Sequence, residues 1–77
     1  MQRIDVARLG KAIREKRSAE DKNQSYVAER VGVAQGVVSR IENGYGGIDG
    51  DLYVKFCTWL GVPFETFVVE AVLDPAA

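Results

Sequence analysis

Residues 23–44 read Asn23-Gln24-Ser25-Tyr26-Val27-Ala28-Glu29-Arg30-Val31-Gly32-Val33-Ala34-Gln35-Gly36-Val37-Val38-Ser39-Arg40-Ile41-Glu42-Asn43-Gly44. Asn23 is a good N-cap, and Val27, Ala28 and Val31 behind it form an apolar stripe at helical spacing, which predicts a short helix from Gln24 to about Val31. Gly32, just past its end, suits a left-handed C-cap. A tight turn around Val33 follows. A second short helix is then expected from Gln35 to Asn43, with Val38 and Ile41 facing inward and Asn43-Gly44 as its stop. Two short helices joined by a glycine-containing turn make a helix-turn-helix arrangement.

On the N-terminal side, Asp5 can cap a helix running to about Ser18, since Val6, Leu9 and Ile13 recur at helical spacing while Arg8, Lys11, Arg14 and Glu15 fill the other face. Ala19 to Asn23 lacks apolar periodicity and reads as a connector. On the C-terminal side, Tyr45-Gly46-Gly47-Ile48-Asp49-Gly50 is a loop by composition. Asp49 or Asp51 caps a fourth helix carrying Leu52, Tyr53, Phe56, Trp59 and Leu60, which Gly61 ends. Pro63 suits the first turn of a fifth helix with Phe64, Phe67 and Val68 inward. The expected fold is an all-α, compact five-helix domain occupying residues 1–77, with a short apolar tail over residues 69–77.

Composition narrows the function. The chain has 77 residues, no histidine and one cysteine, so it holds one modest core and lacks imidazole metal sites, His-based triads and internal disulfides. Cys57, among Phe56, Trp59 and Leu60, reads as a small buried hydrophobe. No catalytic residues, metal, cofactor or small-molecule ligand are expected. No stretch approaches a membrane span and Met1-Gln2-Arg3-Ile4-Asp5 lacks a signal-peptide core, so the expected setting is cytoplasmic. The net charge of −1 conceals an asymmetry. Residues 1–42 hold nine Lys/Arg against six Asp/Glu, whereas residues 43–77 hold one against five. Opposite signs in the two parts suggest one side that faces a polyanion and one that faces elsewhere, or ordinary solvated helix faces.

With Leu9-Gly10-Lys11-Ala12-Ile13-Arg14 before it and Trp59-Leu60-Gly61-Val62-Pro63-Phe64-Glu65-Thr66-Phe67 after it, the run from Asn23 to Gly44 resembles the phage repressor/Cro-type (XRE-like) helix-turn-helix family. The resemblance covers about residues 6–70. It implies a DNA-binding transcriptional regulator, a repressor, that binds a palindromic operator in double-stranded DNA as a homodimer. Its third helix would lie in the major groove. There Gln35 can pair with adenine and Arg40 with guanine, with Gly36 and Ser39 on the same outward face. Val37 is either a thymine-methyl contact or a partly buried packing residue.

The resemblance also makes Gln24 a phosphate contact at the start of the second helix, where free N–H groups and the positive helix end favour an anion. Asn23 beside it is primarily a cap, and Asn43 is a backbone contact or a simple C-cap. Arg17 and Glu42 match positions that form a structural ion pair between the first and third helices.

Three positions depart from the family pattern. Asp21-Lys22 replaces a glycine and an apolar residue before the second helix, which suggests a looser connector and a phosphate-contacting Lys22. Gly36 removes a side chain from the recognition helix. The loop after Gly44 carries no cation, which implies weaker and less salt-sensitive binding. The C-terminal apolar residues Phe64, Phe67, Val69, Val72 and Leu73 either form the dimer interface or complete the core. The alternative function is a protein-interaction module of the same fold, antitoxin-like or accessory, that a contiguous apolar patch over the third helix would favour.

Overall fold

The computed structural model describes residues 2–70. Four α-helices carry the architecture: α1 (Val6–Ala19), α2 (Gln24–Val31), α3 (Gln35–Glu42) and α4 (Gly50–Leu60). Three begin at the expected side-chain caps. Asp5 accepts from the Arg8 N–H at 3.1 Å, Asn23 from Tyr26 at 2.9 Å and Asp49 from Leu52 at 2.8 Å. Each cap satisfies one of the N–H groups that a helix start leaves without a partner. Gly32 and Gly61 close α2 and α4 in the left-handed conformation, at φ 86° and 73°.

The expected fifth helix is corrected. Beyond Pro63 the chain makes one 3-10 turn, Phe64–Phe67, and then enters strand β2 (Val68–Glu70), which pairs antiparallel with β1 (Gln2–Ile4). The β-branched pair Val68-Val69 favours extended backbone, and the strand register sets Ile4 opposite Val68, both packed against the core. Asp5 N–H donates to the Phe67 carbonyl at 2.8 Å, continuing the join up to the first residue of α1. The all-α helix-turn-helix fold stands, with four α-helices in place of five and a small two-stranded ribbon added to them. The tail beyond Glu70, including Val72 and Leu73, lies outside the described residues.

The connector between α1 and α2 is also tighter than expected. Lys22 N–H reaches the Arg17 carbonyl at 2.7 Å and Asp21 N–H the Ser18 carbonyl at 3.1 Å. Asp21 adopts φ 56°, the left-handed conformation that glycine takes at this kind of helix end.

The core is built from Leu9 and Ile13 of α1, Val27 of α2, Val38 and Ile41 of α3, and Tyr53 and Phe56 of α4, all fully buried. Cys57 is buried among them, as its neighbours suggested. Tyr53 brings a hydroxyl into this apolar volume and satisfies it at the 3-10 turn: it donates to the Phe64 carbonyl and accepts from Phe67 N–H at 3.2 Å. Gly10 sets the depth of the α1–α3 contact. A Cβ at this position would lie 2.0 Å from the Ile41 carbonyl oxygen, so the two backbones cross where only a hydrogen fits.

Candidate nucleic-acid interface

Helix α3 divides its faces. Val38 and Ile41 are fully buried, Gln35 and Gly36 are exposed, and Val37, Ser39 and Arg40 are half-buried between them. Val37 packs against the core, in keeping with the packing alternative for that residue. The inward residues fix the helix, and the outward ones are left to meet a partner.

Below α3, Glu42 organises the join to α1 and α2. Its side chain is fully buried, and Arg17 donates to it twice, from Nε to Oε2 at 2.6 Å and from Nη2 to Oε1 at 2.8 Å. This is the ion pair expected from the sequence. Two further donors that the sequence reading assigned elsewhere join it: Arg14 Nε at 3.3 Å and Gln24 Nε2 at 3.2 Å, both to Oε1. Burial pushes the Glu42 carboxyl upward, but the donors from Arg17, Gln24 and Arg14 outweigh it and hold the group below the ordinary glutamate range. Hydrogen bonding to Glu42 raises the Arg17 guanidinium in turn. Removing Arg17 would leave the buried carboxylate only the longer bonds from Arg14 and Gln24, which costs a part of the about 3 to 5 kcal/mol of a fully stranded buried charge.

The expected phosphate contacts lie around the start of α2. Lys22 is exposed, with its Nζ 4.8 Å from the centre of the Tyr26 ring. Asn23 is the helix cap. Gln24 has its amide turned to Glu42, so the start of α2 is tied to the same carboxylate that joins α3 to α1. Asn43, at the opposite end of α3, is exposed and donates from Nδ2 to the Ser39 carbonyl at 2.9 Å, closing the helix.

The two expected readers are held differently. Gln35 Oε1 accepts from Ser25 Oγ at 3.1 Å, an exposed side-chain contact between α2 and α3. Ser25 had no place in the sequence reading, although it occupies the second position of α2 and such positions face the start of α3 across the turn. Arg40 bends toward the following loop, where Nη1 donates to the Tyr45 and Gly47 carbonyls, both at 2.8 Å. The loop that lacks a cation of its own thus receives one from α3. Tyr45 is 69% exposed beside it.

The described residues include no group of three or more His, Cys, Asp or Glu side chains that could hold a metal, and none of their helices is long and apolar enough to cross a membrane.

Comparison with known proteins agrees with this fold. No curated protein matches the chain. Among solved structures, the chain is similar in fold to the restriction-modification controller protein C.AhdI from Aeromonas hydrophila, with a TM-score of 0.66 and 24% identity over 79% of this chain and 92% of that one. A family model described as helix-turn-helix, HTH_3, matches residues 13–67, a span that runs from the middle of α1 through the 3-10 turn. The chain therefore belongs to the helix-turn-helix family, and that membership supports a role in DNA-binding transcription regulation.

Proposed function

We propose that the chain is a sequence-specific DNA-binding regulator, a non-enzymatic repressor that reads the major groove of a palindromic operator with α3 and binds as a homodimer. The observation that carries this reading is the division of α3, with Val38 and Ile41 fully buried while Gln35 is exposed with its amide in contact with Ser25. Bidentate pairing with adenine uses Oε1 as acceptor and Nε2 as donor, and a contact that restrains the side chain beforehand lowers the ordering cost of that pairing. Gln35 and Arg40 are the principal readers, Gly36 lets the backbone come close, and Val37 and Ser39 flank them. Lys22, Asn23 and Gln24 meet phosphates at the start of α2, and Asn43 meets the backbone at the end of α3. The likeness to a restriction-modification controller favours the regulatory half of the reading.

A single module of this size buries too little DNA surface for strong specific binding, which favours two copies about one helical turn, ~34 Å, apart. Exposed Val54 and Phe64 are apolar surface in the C-terminal part on which such a dimer can form. The alternative reading as a protein-interaction module draws less support. The large exposed apolar residues among those described are Tyr45, Val54 and Phe64, and none lies on α3.

The test is selection from a randomised duplex pool with sequencing, followed by a salt titration on the enriched site and sedimentation of the complex. An enriched palindrome bound by two chains, with affinity falling as salt rises, is the expected result. An absence of enrichment at low salt refutes the reading.

A further inference from the structure

The loop behind α3 grips one edge of Arg40 and leaves the other edge open. Both hydrogens of Nη1 are taken, by the Tyr45 and Gly47 carbonyls at 2.8 Å each. Among the described residues, Nε–H and Nη2 of the same guanidinium meet no protein acceptor. Those two donors point parallel to one another along one side of the planar group and can pair bidentately with O6 and N7 of a guanine. The loop is shaped to this grip. Tyr45 N–H returns to the Arg40 carbonyl at 3.0 Å, Gly44 and Gly46 both take φ 72°, and a Cβ on Gly46 would come within 3.0 Å of Nη1. At Gly47, by contrast, a Cβ would meet nothing within 4 Å.

We infer that the Tyr45–Gly47 loop is a positioning element for Arg40: it holds Nη1 so that Nε–H and Nη2 read a guanine side-on without release of the loop. Gly46 is then a specificity-determining residue that never touches DNA. The inference rests on the reading of α3 as the DNA-recognition helix. It assigns the glycines of a cation-free loop a role in base choice. Preorganisation is the physical gain. An arginine side chain held at its tip loses little further freedom on binding, so more of the pairing energy appears as discrimination.

The test uses the duplex enriched from the random pool, and copies in which each guanine in turn is replaced by 7-deazaguanine, which lacks the N7 acceptor. Binding is followed by fluorescence anisotropy. The wild-type chain should lose affinity at one guanine per half-site by a share of the about 5- to 150-fold of one good bidentate pair, since O6 still accepts one of the two bonds. Arg40→Ala should abolish that difference. Gly46→Ala should abolish most of it too, while still binding random-sequence duplex at low salt, and Gly47→Ala should preserve it. A purely structural role for Gly46 would weaken binding to all duplexes equally, and that result, like full discrimination by Gly46→Ala, overturns the inference.

Nitrogen-15 NMR of the wild-type guanidinium gives a second readout that does not depend on any variant folding. The grip predicts separate Nη1 and Nη2 signals in the free protein, with the Nη1 signal little changed on adding the enriched duplex and the Nε signal shifted. One averaged Nη signal in the free protein refutes it. If instead the Nη signals are separate but no guanine is discriminated through Arg40, the positioning role fails while the reading of α3, which the enrichment itself tests, stands.

Discussion

Replacing Gly10 by alanine should destabilise the domain, against the ordinary preference of helices. In an exposed helix interior, Gly→Ala gains about 1 kcal/mol. Here the added methyl would stand 2.0 Å from the Ile41 carbonyl oxygen, 2.8 Å from Glu42 Cα and 2.9 Å from the Ile41 carbonyl carbon. All three are backbone atoms, so no side chain can rotate away. To restore contact at about 3.5 Å, α1 and α3 must part by roughly 1.5 Å, and a gap of only about 0.5 to 1 Å already forfeits a quarter to a half of the attraction between facing atoms, which sets a lower bound on the loss. Leu9 and Ile13 on one side and Val38 and Ile41 on the other are fully buried across this contact. At about 2 kcal/mol of burial for each, the loss is roughly 2 to 4 kcal/mol, before any stretching of the Arg17–Glu42 bonds. Net of the helix-propensity gain, about 1 to 3 kcal/mol remains. That corresponds to a fall in Tm on the order of 10 °C for a domain of this length, measurable by circular dichroism with urea melts for the free energy. Gly36→Ala is the matched control. A Cβ there meets nothing within 4 Å, so only propensity acts, and Tm should hold or rise slightly. A Gly10→Ala protein that melts at or above the wild type would refute the argument that the backbone crossing at Ile41 fixes the α1–α3 distance.

Acid should weaken the domain through Glu42. Its carboxyl is held below the ordinary range in the fold, so its contribution is complete above the unfolded value of about 4.3 and is lost as pH falls through the lower folded value. Urea melts of wild type and Glu42→Gln should accordingly differ most near neutral pH and converge in acid; a constant difference across that range would count against the network. Ile41→Ala should cost about 2 to 5 kcal/mol, because the side chain is fully buried, whereas Gln35→Ala should leave stability within about 0.5 kcal/mol and weaken binding to the enriched duplex. Equal losses in melting temperature would contradict the division of α3. Asp21→Gly relieves a left-handed backbone at φ 56° and should stabilise by about 1 kcal/mol; an unchanged or lower Tm would show that Asp21 carries no such cost.

The helices were legible because their boundaries are written locally. Asp5, Asn23 and Asp49 precede the periodic runs, and Gly32 and Gly61 follow them, each acting within four residues of its own position. Strands β1 and β2 are three residues each, too short to show an alternating pattern, and they meet only through pairing between opposite ends of the chain. Pro63 therefore reads as a helix start when considered alone, although its partner strand redirects the segment after one turn. The site divides the same way. Arg17 and Glu42 were placed together by resemblance to a family, whereas Arg14 and Gln24 were assigned to solvent and phosphate because nothing in their spacing reveals a carboxylate 28 and 18 residues away. Ser25 and the grip on Arg40 were missed for related reasons. One depends on how α2 meets α3, and the other on two positive-φ glycines folding a loop back onto the helix it leaves.

The antiparallel pairing of Gln2 with Glu70 and of Ile4 with Val68 has a mechanical consequence. The strands enter and leave at the same end of the ribbon, so tension applied through the two ends of the described chain loads its hydrogen bonds one pair at a time. Peeling of this kind yields at far lower force than sliding two strands lengthwise, in which all the bonds resist together. A domain pulled from its ends should therefore open in two stages, the ribbon first and the helical core afterwards. The first stage would release Asp5 from Phe67 and expose the start of α1 while α3 is still anchored through Glu42.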